Sequence, residues 1–232
     1  MPKQLRVEIS PQQSTTALVY PAAAKHSAEV TLILGHGAGA GQTSGFMTSF
    51  ASGLAARGIN MVTFNFLYTE QGRRLPDPND RLEACWRSVI AAVRQRMKST
   101  GTPLAIGGKS MGGRIASQVA AAGIGELAGL VFLGYPLHPP GRPDRLRAKH
   151  LPDIKTPMLF VQGSRDAFGT PDELRPIVTP LEPPADLYVV EGGDHSLKVR
   201  KSAGFRQEDT YGTVQDHIAA WLRGIAAVRR AR

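Results

Sequence analysis

A mostly parallel, doubly wound α/β sheet flanked by helices is the fold class this sequence predicts, on three observations. Near-continuous apolar runs recur along the chain, as in Val30–Leu34, Gly129–Gly134 and Met158–Gly163, and such runs suit strands buried on both faces. Between them lie segments whose apolar residues follow the helical period, and strands alternating with helices build a parallel sheet. The third observation is the pattern Gly108-Lys109-Ser110-Met111-Gly112, a Gly-x-Ser-x-Gly set between an apolar run and a helical one.

Leu5–Ser10 alternates as an edge strand does, and Thr15–Tyr20 is placed to pair with it as a hairpin. Pro21–Ala28 is a loop. The strand Val30–Leu34 runs into Gly35-His36-Gly37-Ala38-Gly39-Ala40-Gly41, too rich in glycine for regular structure. A helix follows over Phe46–Ala56, with Gly58 as its C-cap. Asn60–Phe66 is the next strand. Tyr68–Asp80, polar and interrupted by Pro76 and Pro78, is a loop over the strand ends. Asp80 then caps a long helix, Glu83 completing a capping box. Leu82, Cys85, Trp86, Val89, Ile90, Val93 and Met97 form the apolar face of that helix. Pro103–Ile106 is the strand before Ser110, and a helix with Arg114–Ala120 follows it. After the strand Gly129–Gly134, residues 135–157 hold Pro136, Pro139, Pro140, Pro143 and Pro152, too many for a core element. They read as a short proline-rich cap over the site. Met158–Gly163, a short helix Pro171–Val178, the strand Asp186–Val190 and a helix from Thr213 complete one domain over residues 1–232.

A chain of 232 residues can bury a sizeable core. Met1–Arg6 has no apolar h-region, and no apolar run approaches the roughly 18 residues of a membrane span, so neither a secretory leader nor a membrane partner is expected. Cys85 is the only cysteine, which excludes an internal disulfide and a metal–thiolate cluster and suits a reducing, cytoplasmic setting. The formal charge of +9 draws on Lys198, Arg200 and Lys201, and on Arg223, Arg229, Arg230 and Arg232 at a helix end, where cations favour the macrodipole. With no nucleic-acid motif, these residues read as a solvated surface rather than a nucleic-acid site. A positive field also attracts anionic substrates.

A strand-to-helix turn as sharp as the one at Ser110 lifts the hydroxyl out of the sheet, and Gly108 and Gly112 permit the close approach because they lack a Cβ. The same letters end a phosphate-binding loop, Gly-x-x-x-x-Gly-Lys-Ser, but its first glycine would fall on Pro103. Lys109 is then a variable position of the turn. A serine hydroxyl needs a base to act as a nucleophile, and in such sheets the acting groups gather at the strands' carboxyl ends. Asp166 follows the strand Met158–Gly163 and is the acid; Asp172 sits at a helix start and Asp153 in the proline-rich section. His195 is the base, in the loop Glu191–Ser196 after the last strand. His26 precedes the core, His217 lies on the last helix, and His138 and His150 lie in the cap. In this arrangement His195 takes the proton of Ser110 and returns it to the leaving group, while Asp166 holds the imidazole. The oxyanion of the tetrahedral intermediate needs two donors: the amide of Met111, and that of Ala38 or, alternatively, Gly37. His36, Tyr68, Arg73, Arg74 and His138 are candidate substrate contacts. No second ligand stands at metal spacing from His36, and the glycine loop matches a dinucleotide fingerprint poorly, so neither a metal nor a cofactor is expected.

Gly35–Gly39, Gly107–Arg114, Gly134–Gly141, Gln162–Asp166 and Gly193–Ser196, in that order, resemble the α/β-hydrolases. The branch they are similar to is dienelactone-hydrolase-like and includes the testis-expressed-protein-30-like sequences. The likeness covers nearly the whole chain from Val30. It implies the α/β-hydrolase fold and a serine triad acting on a small-molecule acyl substrate, a carboxylic ester or thioester. Dienelactone hydrolases carry a cysteine at the turn where this chain has Ser110, so the resemblance does not extend to that activity. The alternative is a non-catalytic interaction module on the same fold.

Overall fold

The computed structural model describes residues 2–23, 30–97, 101–200 and 206–230; His26, Lys201, Arg232 and the side chain of Arg230 lie outside the described residues. Eight strands form one sheet: β1 (Lys3–Ser10), β2 (Gln13–Tyr20), β3 (Thr31–Gly35), β4 (Asn60–Phe64), β5 (Leu104–Lys109), β6 (Gly129–Leu133), β7 (Met158–Gly163) and β8 (Asp186–Val190). Their order is β1-β2-β4-β3-β5-β6-β7-β8. The β1–β2 hairpin and the β2–β4 pair are antiparallel, and every other pairing is parallel. The helices are α1 (Gly45–Ala56), α2 (Leu67–Glu70), α3 (Asn79–Met97), α4 (Met111–Ala121), α5 (Pro171–Val178) and α6 (Gln207–Arg230).

Strands β3, β5, β6 and β7 are buried along their whole length, which is why they read as unbroken apolar runs. Their side chains alternate between two cores. Ile33, Ile106, Phe132 and Phe160 pack with Trp86, Val89 and Ile115 of α3 and α4 on one face. Leu32, Leu34, Val131 and Leu159 pack with Phe50 and Leu54 of α1 and with Val214 and Ile218 of α6 on the other. Each fully buried side chain of this size contributes roughly 1.5–3 kcal/mol, so these two layers hold the strand ends in register around Ser110.

Several strand and helix ends move by a few residues, β4 ending at Phe64 and β5 running on to Lys109, and three further differences from the sequence reading have a clear physical cause. The segment read as a loop from Tyr68 begins with α2, whose turn is fixed by the Glu70 carboxylate; it accepts from Thr16 Oγ1 at 2.6 Å and Asn65 Nδ2 at 2.9 Å. Asp80 does not cap α3 but lies inside its first turn, because the Pro78 carbonyl already accepts from the amides of Arg81 and Leu82, each at 3.1 Å. Helix α6 starts at Gln207 rather than Thr213. Glu208 and Asp209 suit its first turn, and Tyr211 packs against Phe46 and Phe50, so tertiary contact carries the helix through Gly212. Residues 135–157 are irregular apart from a 3₁₀ turn at Leu151–Asp153. Their apolar members Tyr135, Leu137, Leu151 and Ile154 nonetheless belong to the core, so the segment is a fixed wall.

Candidate active site

Ser110 stands between β5 and α4 at φ 51°, ψ −117°, a conformation that costs about 1–3 kcal/mol in a residue with a side chain. Its amide donates to the Leu133 carbonyl of β6 at 3.1 Å. The helix can follow immediately only because backbones nearly touch: a Cβ on Gly108 or Gly112 would lie 2.4 or 2.2 Å from the Gly35 carbonyl oxygen. The strain at Ser110 is thus maintained by two glycines and the β3 end beside them.

Asp166 follows β7 and is 1% exposed. Its carboxylate accepts from His195 Nδ1 at 2.8 and 2.9 Å, from Gln162 Nε2 at 2.8 Å and from the Phe168 amide at 2.8 Å. Gln162, fully buried, is itself fixed by accepting from the Tyr135 amide and donating to the Gly169 carbonyl. Because a carboxylate only accepts, Nδ1 of His195 carries the proton, and Nε2 faces Ser110 Oγ at 2.8 Å as an acceptor. The loop bearing His195 is shaped by Asp194, whose Oδ1 accepts from the Ser196 and Lys198 amides at 2.7 and 3.0 Å. The Phe168 ring stacks on the imidazole, with centroids 4.1 Å apart.

Lys109 is engaged in the site. Its buried ammonium donates to the His195 carbonyl and lies 5.7 Å from the centroid of the Phe46 ring. Burial pushes its pKa down to about 8, opposed by the charges of Asp166 and Asp194.

On the other side of Ser110, Gly37 and Ala38 line a cavity of about 590 Å³ together with Ser110, Met111 and His195. A Cβ on Gly37 would meet Ser110 Cβ at 3.6 Å, so this loop rests directly on the turn. Met111 is the first residue of α4, and an amide there has no acceptor within its own helix. Apolar Phe46, Met47, Leu82 and Phe168 form much of the remaining wall, with Arg114 and Arg147.

None of the five residues read as substrate contacts lines this cavity. His36 is fully buried; its Nδ1–H donates to the Gly37 carbonyl at 2.8 Å and its Nε2 accepts from the Phe66 amide at 3.1 Å. Burial lowers its pKa, so it braces the glycine loop as a neutral ring. Tyr68 is buried edge-on against that ring, with centroids 5.9 Å apart. His138 is buried between the Pro139 carbonyl and Glu173. Arg73 pairs with Asp77 at 2.7 Å, and Arg74 is exposed. Among the rivals, His217 stacks on Tyr188, His150 meets Ser117 Oγ at 2.7 Å, and Asp172 lies in the first turn of α5. Sequence reasoning missed Gln162, Phe168, Lys109, Arg114 and Arg147. Only Arg114 carried a signal: four residues past Ser110 on a helix, it shares a face with it.

Among the described residues, no cluster of three or more His, Cys, Asp or Glu is placed to hold a metal, and no helix is long and apolar enough to cross a membrane.

Solved structures share this architecture. An α/β serine hydrolase homologue from Coxiella burnetii is 18% identical with a TM-score of 0.74, the match covering 94% of this chain and 96% of that one. A serine hydrolase without a lid from Xanthomonas campestris is 21% identical with a TM-score of 0.73, covering 95% and 94%. A dienelactone hydrolase from Anabaena variabilis is 17% identical with a TM-score of 0.72, covering 96% and 98%. The model of the alpha/beta hydrolase domain matches residues 28–223. With most of its length matched and the eight-stranded sheet in place, the chain belongs to the α/β-hydrolase domain family.

Proposed function

We propose that the chain is a serine hydrolase that cleaves a carboxylic ester or thioester through an acyl-enzyme. The observation that carries this reading is the unbroken hydrogen-bonded line from Ser110 Oγ through His195 to Asp166, supplied by the ends of three different strands. The serine hydrolases and esterases among the structural neighbours support it. In this reading Ser110 Oγ attacks the carbonyl carbon as His195 Nε2 takes its proton. The imidazolium is stabilised by Asp166, and the oxyanion is held by the amides of Met111 and Ala38, or Gly37 in its place. Collapse of the intermediate breaks the bond to the leaving group, which receives the proton from His195. Water, activated by the same base, then releases the acid and restores Ser110. Cys85, buried with its thiol pushed up to about 12, suits the cytoplasmic setting that belongs to the same proposal.

Hydrolysis of p-nitrophenyl acetate tests the reading. Ser110→Ala and His195→Ala are each expected to lower kcat by roughly 10³-fold or more. Equal rates for wild type and Ser110→Ala remove Ser110 from the mechanism.

A further inference from the structure

Only three large apolar side chains stand out into solvent among the described residues: Leu75 at 81% exposure, Leu146 at 56% and Val228 at 56%. Two of them flank the cavity beside Ser110. Leu75 directly precedes Pro76 and Leu146 directly precedes Arg147, and both of those neighbours line the cavity. Val228 lies on α6 and lines a different one. Single exposed apolar side chains are ordinary on a protein surface, whereas their gathering at one opening marks an interaction face.

Neither leucine is exposed through slack in its loop. Beside Leu75, the Arg73 amide donates to the Tyr68 carbonyl and its guanidinium to the Asp77 carboxylate, both at 2.7 Å. Beside Leu146, the Arg145 amide donates to the Arg142 carbonyl at 3.0 Å and the Arg147 amide to the Leu137 carbonyl at 2.8 Å. The Ser117–His150 contact, at 2.7 Å, fastens that segment to α4. The backbone thus holds both side chains outward. The same two segments are basic. Residues 71–78 and 139–149 carry six cations against two acids, a net +4 of the chain's +9. Both acids are already answered, Asp77 by Arg73 at 2.7 Å and Asp144 by Arg142 at 3.3 Å. Arg74, Arg145 and Lys149 are exposed and form no ion pair among the described residues. Exposed leucines set among unpaired cations match a negatively charged surface with an apolar interior, which is what an anionic bilayer presents. A nucleic acid would answer the charge but leave the aliphatic tips in water.

We propose that the mouth of the cavity docks on an anionic membrane surface, Leu75 and Leu146 entering the headgroup layer and Arg74, Arg145 and Lys149 facing lipid phosphates. The contact is peripheral, since no helix among the described residues is long and apolar enough to cross a membrane. The lack of an apolar span, on which no membrane partner was expected, does not bear on such a surface contact. Co-sedimentation with lipid vesicles tests it. The full chain is expected to bind vesicles of equal parts phosphatidylglycerol and phosphatidylcholine, and not vesicles of phosphatidylcholine alone. Leu75→Ser and Leu146→Ser are each expected to lower the partition coefficient roughly tenfold, and Arg74→Gln and Arg145→Gln roughly fivefold each. Val228→Ser should leave it unchanged. These side chains are exposed, and an unchanged Tm verifies that each variant is folded. Ser110→Ala protein is expected to bind as wild type does, so the result stands apart from the serine-hydrolase reading above. Folded wild type that stays in the supernatant, or that binds both kinds of vesicle equally, overturns the proposal. Binding unmoved in both Leu75→Ser and Leu146→Ser also overturns it, as simple adsorption of a basic protein. Binding to single-stranded RNA with none to vesicles overturns it in favour of a nucleic-acid partner.

Discussion

Lys109 shows how a residue inside a recognised motif acquires a task from elsewhere in the chain. Its ammonium joins the end of β5 to the loop of His195, so the turn at Ser110 and that loop are tied through one side chain. With its pKa near 8, the tie loses its charge as pH rises through that value. Wild-type kcat is therefore expected to fall above about pH 8. Lys109→Arg, charged throughout, should move that limb upward, while Lys109→Met should lower kcat at every pH. Stability runs the opposite way. The folded chain releases the Lys109 proton near 8 and the unfolded chain holds it to 10.5, so the penalty of the buried charge is complete below 8 and is relieved between these values. Denaturation of wild type and Lys109→Met across that window checks the sign. A second residue-scale expectation concerns Gly112. An added Cβ would lie 2.2 Å from the Gly35 carbonyl oxygen, with no flexible side chain to yield. Gly112→Ala is expected to destabilise by about 3 kcal/mol, read as a lower urea midpoint at unchanged slope. That Ser110, Asp166 and His195 lie together was legible because each follows the end of a parallel strand. The inward or outward direction of neighbours was not: His36 and Tyr68 adjoin the site in sequence yet turn into the core.

At the scale of elements, periodicity carried most of the information. β3, β6, β7, β8 and α5 lie where their apolar patterns put them, β3 shifted and β6 shortened by a single residue. The missed pieces, α2 and the first turns of α6, depend on partners distant in sequence: Thr16 for Glu70, and Phe46 for Tyr211. Helix α5 offers a clean test of local design. Thr170 and Glu173 form a reciprocal capping box next to the Asp166 loop. Hydrogen bonds from Thr170, its backbone amide first, hold the Glu173 carboxyl below its usual range. That contribution is present above the ordinary carboxylate pKa and fades as pH falls through the lowered value. Thr170→Ala is expected to cost about 1 kcal/mol at neutral pH, and less in acid, as measured by thermal or urea unfolding.

Over the whole molecule, the parallel sheet and the gathering of Ser110, Asp166 and His195 at its strand ends followed from alternation and chain order. The electrostatic character of the cavity did not. It arises where Arg114 of α4 and Arg147 of the proline-rich segment line the cavity and where residues 86 apart, Lys109 and His195, meet. An overall charge of +9 extends the same field outward. The central claim, that Ser110 is a nucleophile activated by His195, is tested most directly by a fluorophosphonate probe with peptide mapping. One adduct on the peptide holding Ser110 is expected, absent in Ser110→Ala and strongly slowed in His195→Ala. Folded wild-type protein that takes up no probe, or an adduct that persists in Ser110→Ala, would contradict it.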